Sequence, residues 1–225
     1  MVPMATSARR TERRADALSK ERIVEAATEI LDTDGESALT FRALSTRLAT
    51  GSGAIYWHVA NKDDLLAATT DDVIARVMTD GVNDAQPREA IRAIALGIFD
   101  AIDAHPWVGA QFSRAPWPPA MMQIFESVGR QLQALGVPER AQFDAVTALV
   151  SYIVGVAGQN AANARRVVPG TDRSVFLGTV SASWERLDPA RFPFLRQVAT
   201  QLAEHDDRAQ FLAGVDLFLA GVATL

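Results

Sequence analysis

From Lys20 onward, apolar residues recur at three- and four-residue steps, and the chain reads as a succession of helices. Ile23, Ala26, Ala27, Ile30 and Leu31 form the inner stripe of a first helix, with Ser19 as its N-cap and Gly35 as its stop. Thr40 caps a second, "FRALSTRL", whose inner residues are Leu44 and Leu48. "ATGSG" leaves room only for a tight turn before a third helix that carries Ile55 and Val59 on one side. Asn61 opens a fourth, with Asp63 and Asp64 at its positive end, and Leu65, Leu66, Val73, Ile74 and Val77 carry it to about Asp80. Pro87 starts a helix that stops before Pro106, and the proline-broken segment around Trp107 and Trp117 reads as a short helix or loop. "PAMMQIFESVGRQLQALG" ends at Gly136, and Pro138 opens a long helix to Ala164. A loop is expected over Arg165–Thr179, then a helix through Trp184, one from about Phe194 to Glu204, and a last one from near Arg208. No stretch alternates as a strand does, so the expected class is all-α. The expected parts are a disordered basic arm at 1–17, a helix-turn-helix domain at 18–66 and a larger helical domain at 67–225.

Composition alters this picture in two places. The whole chain of 225 residues carries a net charge of −5, yet residues 1–62 net +1 and the rest −6. Arg9, Arg10, Arg13 and Arg14 crowd the first segment, which reads either as a solvated tail or as a phosphate-seeking arm. Ala145–Ala164 holds no charge, but its strongly apolar part, "AVTALVSYIVGVAG", is too short for a span and is followed by Gln159, Asn160 and Asn163. A buried helix is expected there, with no membrane contact. The N-terminus lacks an apolar signal region, and a cytoplasmic protein is expected.

The chemistry concentrates in "TGSGAIYWHVANKDDLL". A short helix that opens on Gly51, Ser52, Gly53 and Ala54 and then carries Tyr56, Trp57 and His58 is poorly suited to a core. It suits a reading helix, whose small residues approach DNA closely while the rings and Lys62 reach phosphates or bases. Thr40 and Arg42 at the start of the second helix are placed to hold the flanking strand. The alternative for the ring cluster, and for Trp57 above all, is packing between two helices.

With these pieces quoted, residues 20–66 resemble the DNA-binding domain of the tetracycline-repressor (TetR) family, through "LTFRALSTRL" and "IYWHVANKDDLL" in particular. The resemblance implies DNA contacts from Arg42, Ser52, Gly53, Ala54, Tyr56, Trp57, His58 and Lys62. Two positions depart from the family pattern: Ala49 stands where a turn glycine is usual, and Phe41 where Thr or Val is common. The resemblance also implies a homodimer whose second domain encloses a small effector. By resemblance the chain reads as a repressor that leaves a palindromic operator when a mostly apolar molecule binds; an activator, or a regulator without an effector, is the alternative.

The second half agrees on its own terms. The last helix is apolar almost all round, with Asp216 nearly its only charge, and the uncharged helix is similar, so more than one face of each needs covering. Two such helices from each of two chains make a four-helix interface, with Gly155, Gly158, Gly214 and Gly221 permitting close approach. Trp107, Phe112, Trp117, Met121, Phe125, Tyr152 and Asn160 are the residues expected around an effector, though each also reads as ordinary core. His105, at a helix end before Pro106, fits a cap or a pivot. An enzyme is not expected. There is no cysteine, and the residues three before His58, His105 and His205 are Ile55, Ile102 and Leu202, so no Glu-x-x-His metal pair exists. No metal or cofactor is expected.

Overall fold

The computed structural model describes residues 18–80, 86–112, 114, 117–165 and 172–225; the basic arm lies outside them. These residues form helices α1 (Lys20–Asp34), α2 (Phe41–Arg47), α3 (Ser52–Tyr56), α4 (Lys62–Asp80), α5 (Pro87–Ala104), α6 (Trp107–Gln111), α7 (Pro119–Ala134), α8 (Glu139–Ala164), α9 (Arg173–Glu185), α10 (Pro193–Ala203) and α11 (Asp207–Val222). A 3₁₀ turn spans Glu36–Ala38. No strand occurs among the described residues.

Polar residues punctuate the helices as their chemistry requires. Ser19 accepts from the Arg22 amide, Thr40 from the Ala43 amide and Asn61 from the Asp64 amide, each satisfying a donor that the helix leaves unpaired. α2 ends in a Schellman arrangement: Thr50 N–H donates to Ser45 O and Ala49 N–H to Thr46 O. Its left-handed position is filled by Ala49, at φ 49°, where a glycine would sit without strain.

Ile23, Ala27, Ile30, Leu44, Ile55 and Val59 are buried together and lock α1–α3 into one head. α4 leaves this head and runs into the body through Val73 and Ile74. α5 is the central rod of the body. Ile91, Ile94, Ile98 and Ile102 are fully buried among α7, α8 and α11, and each such burial contributes about 1.5–3 kcal/mol. At Gly97 a Cβ would come 2.5 Å from Val77, so glycine there sets the closeness of α4 to α5.

α8 is long and apolar enough to cross a membrane by composition, but it packs against α5, α7 and α11. α11 is tied to α5 at its start and at its middle: Arg208 grips Asp100 with two bonds of 3.1 and 3.0 Å, and Arg92 pairs with Asp216. The charge of α11 is therefore spent inside the subunit.

Three expectations need correction. The loop expected to reach Thr179 stops earlier, because Asp172 accepts from the Ser174 amide and hydroxyl and starts α9 at Arg173. α3 ends at Tyr56, and Val59 reaches the core through a turn closed on Ile55 O. Gly214 makes no room for a partner helix. It makes room for Tyr152, whose hydroxyl a Cβ would strike at 1.8 Å.

Candidate nucleic-acid interface and effector cleft

The head presents one face built from the N-terminus of α2 and all of α3. Ile55 and Val59 hold α3 from beneath, which turns Ser52, Gly53, Tyr56, Trp57 and His58 to solvent, with Ala54 half-buried. Trp57 is 89% exposed, so packing between helices does not explain it. Tyr56 stacks on Phe41 at 4.4 Å between ring centres and 5° between planes. The departure at Phe41 thus has a use: it is a rest that fixes the Tyr56 ring at the surface, worth about 0.5–1.5 kcal/mol.

Polar groups on this face are partly committed. Thr40 accepts from Ala43 N, and its own hydroxyl proton remains available to an outside acceptor. The Arg42 side chain is exposed and forms no ion pair with the described residues. Lys62 departs from expectation. It is half-buried and donates through Nζ to Glu36 O at 2.6 Å, stitching the start of α4 to the 3₁₀ turn. Its first task is structural: the Glu36 carbonyl already accepts the Leu39 amide that closes the turn, and the ammonium uses its second lone pair, pinning the turn to α4.

Gly51 and Gly53 carry a different kind of information. A Cβ built at either meets nothing within 4 Å, and neither has a positive φ. Neither backbone strain nor internal packing calls for glycine at these two exposed positions.

In the body, Phe112, Trp117, Pro118, Met121, Phe125, Thr147, Val150, Ser151, Val154 and Gly155 line a cleft of about 460 Å³ between α6, α7 and α8. Four of the seven residues expected around an effector meet there: Phe112, Trp117, Met121 and Phe125. Trp117 lies edge-on to Phe125 at 4.9 Å and holds a left-handed backbone, φ 56°, a conformation that costs a non-glycine residue about 1–3 kcal/mol. The Thr147 hydroxyl, on the wall of this cleft, is buried without a hydrogen-bond partner.

The other three lie elsewhere. Tyr152 stacks on Phe211 and donates to Phe211 O at 3.0 Å, serving the α8–α11 contact, and burial pushes its phenol up. Asn160 is half-buried and outside the cleft lining. Trp107 faces the head: its Nε1–H donates to Asp32 Oδ1 at 2.8 Å. His105 Nδ1 lies 2.8 and 3.0 Å from the same carboxylate, which only accepts, so Nδ1 carries the proton. Arg114 pairs with Glu36 at 2.7 Å beside it. Asp32, Glu36 and Arg114 were not singled out from the sequence. Partners more than seventy positions apart leave no local spacing signal.

Comparison with known proteins places both halves. Residues 23–69 match the model "Bacterial regulatory proteins, tetR family", and residues 82–225 match "Tetracyclin repressor-like, C-terminal domain". A transcriptional regulator with a helix-turn-helix, from Saccharopolyspora erythraea, is 30% identical over 92% of this chain and 85% of its own. The repressor DrrR1 of Streptomyces coeruleorubidus is 30% identical over 62% of this chain and 53% of its own. Among solved structures, a TetR regulator from Streptomyces coelicolor shares 54% identity at a TM-score of 0.86, covering 93% of this chain and 99% of that one. ActR of the same organism, solved in complex with actinorhodin, shares 25% at 0.75, covering 91% and 95%.

Proposed function

This chain belongs to the tetR family of bacterial regulatory proteins, and on that premise we propose that it is a homodimeric cytoplasmic repressor. It holds a palindromic operator through α2 and α3 and releases it when a flat, mostly apolar molecule enters the cleft between α6, α7 and α8. The observation that carries the effector part is the span of α6. Trp107 at its first position is hydrogen-bonded to Asp32 of the head, and Phe112, just past its last, lines the cleft. A molecule seated against Phe112 acts on a helix whose other end grips the reading head. Two heads must meet major grooves about 34 Å apart, so a small rotation of each suffices to lose the fit. The ligand works only through its unequal affinity for the two arrangements.

Aromatic and methionine walls suit fused rings, and the exposed Ser151 hydroxyl suits a ligand bearing an oxygen function. ActR, a relative solved with actinorhodin, makes a small organic effector a reasonable class.

Dimerisation is supported by what α11 leaves outside. With Asp216 turned to Arg92, the outward positions are Ala213, Leu217, Ala220 and Gly221, and Leu217 is 76% exposed. α9 and α10 pack chiefly on each other and expose Val175, Phe176 and Phe194. A second copy of this chain would cover these faces.

The test is binding of the purified protein to a labelled fragment from upstream of its own gene, at several salt concentrations, followed by titration with planar aromatic compounds. Two chains per fragment, a steep salt dependence, and release that parallels quenching of Trp117 fluorescence are the expected results. Intact binding with neither release nor quenching would reduce the protein to a regulator without such an effector.

A further inference from the structure

Ser52 is exposed on the reading face, and its Oγ lies 2.8 Å from the Ser45 Oγ of α2. Ser45 Oγ is also 2.6 Å from Phe41 O. A hydroxyl has one proton and two lone pairs, and a carbonyl oxygen only accepts. Ser45 must therefore give its proton to Phe41. The Ser45–Ser52 bond then has a single consistent direction: Ser52 donates and Ser45 accepts. Both contacts are satisfied only if the Ser52 proton points back into the head.

We infer that Ser45 fixes Ser52 as an acceptor toward the major groove, so that the operator base facing it is one that offers an amino group, adenine or cytosine. Adenine N6 and cytosine N4 are the donors on the floor of that groove, whereas guanine and thymine present O6 and O4 acceptors. A phosphate is an unsuitable partner for the same reason, because it too only accepts. Thr40 is the counter-example on the same face. Its oxygen accepts from Ala43 N, its proton is uncommitted, and a phosphate suits it. The bare backbone at Gly51 and Gly53 on either side lets the short Ser52 side chain come near a base edge.

The inference rests on the reading of α3 as the DNA-reading helix, and the experiment separates the two. Operator fragments carrying each of the four bases at each position are titrated with the full chain and with Ser52→Ala, Ser45→Ala and Ser45→Thr. The position facing Ser52 is the one where wild type discriminates and Ser52→Ala does not. There, wild type should prefer adenine or cytosine on one strand by roughly two- to tenfold, the range of a single net hydrogen bond. Ser45→Ala releases the Ser52 proton, so guanine and thymine should become acceptable and the preference should shrink to within about twofold. Ser45→Thr keeps the relay and should keep the preference. Wild-type preference for guanine or thymine at that position overturns the inference, as does an unchanged preference in Ser45→Ala or the lack of any Ser52-dependent position. Failure of the wild type to bind any fragment overturns the DNA-reading assignment itself, and this inference with it.

Discussion

Gly53→Ala separates two reasons a glycine can stand in a helix. The position is the second of the five residues of α3, its φ is not positive, and a Cβ there meets no atom of the protein within 4 Å. For the free protein the substitution is therefore pure gain. Alanine exceeds glycine in helix interiors by about 0.5–1 kcal/mol, which is the upper bound for this first-turn position. In a chain of this size that raises the melting temperature by roughly 1–4 °C. Against DNA the same methyl is an intrusion into a close-packed contact, which costs about 1–3 kcal/mol. At 1.4 kcal/mol per tenfold, operator affinity should fall by roughly 5- to 150-fold. The assay pairs a thermal melt with anisotropy titration of the operator fragment. Gly129→Ala in α7, equally open, serves as control and should leave affinity unchanged. A Gly53→Ala protein that melts higher and binds as well as wild type would refute the argument that this glycine is reserved for DNA.

Further outcomes follow from the same contacts. Ala49→Gly relieves the left-handed alanine of the turn and should raise stability by a few tenths of a kcal/mol to about 1 kcal/mol, seen as a higher melting temperature with unaltered operator affinity. Arg42→Ala should weaken binding to all sequences and lower the salt slope by about 1, whereas Lys62→Met should also lower the melting temperature, because Lys62 holds the Glu36 carbonyl. Asp32→Ala leaves the buried Trp107 Nε1–H without its acceptor and should cost about 1–3 kcal/mol; an unchanged melting temperature would dismiss the junction. Asp71, whose carboxyl burial pushes up against the opposing hydrogen bond from Ala120 N, binds its proton more tightly folded than unfolded. Its contribution to stability is greatest below the ordinary carboxylate value and is lost as pH rises through the raised one. Asp71→Asn keeps an acceptor for Ala120 and should flatten that loss in a pH series of urea melts.

What the sequence disclosed was local. Ser19, Thr40, Asn61, Pro87 and Pro138 mark helix starts because capping and proline geometry act over one turn, and the structure puts helices there. The exposure of the α3 rings was legible for the same reason: rings beside small residues conflict with any core. What depended on folding back was hidden. Trp107 looks like an effector residue until α1 brings Asp32 to it, and Gly214 looks like a helix-crossing glycine until Tyr152 fills its space. Lys62 reads as a phosphate ligand until the turn at Glu36–Ala38 offers it a carbonyl.

α6 spans only Trp107–Gln111, and both its ends are occupied. Each residue of an α-helix turns the next by about 100° and advances it about 1.5 Å. Adding or deleting one residue would swing Phe112 a quarter-turn or more out of the cleft while Trp107 stayed on Asp32, or the reverse. On the proposed mechanism, substitutions along the cleft wall retune which molecule is sensed and leave the grip on the head intact. The length of this connector cannot drift in that way, so among relatives that share the mechanism the cleft is free to diversify in composition while the connector keeps its register.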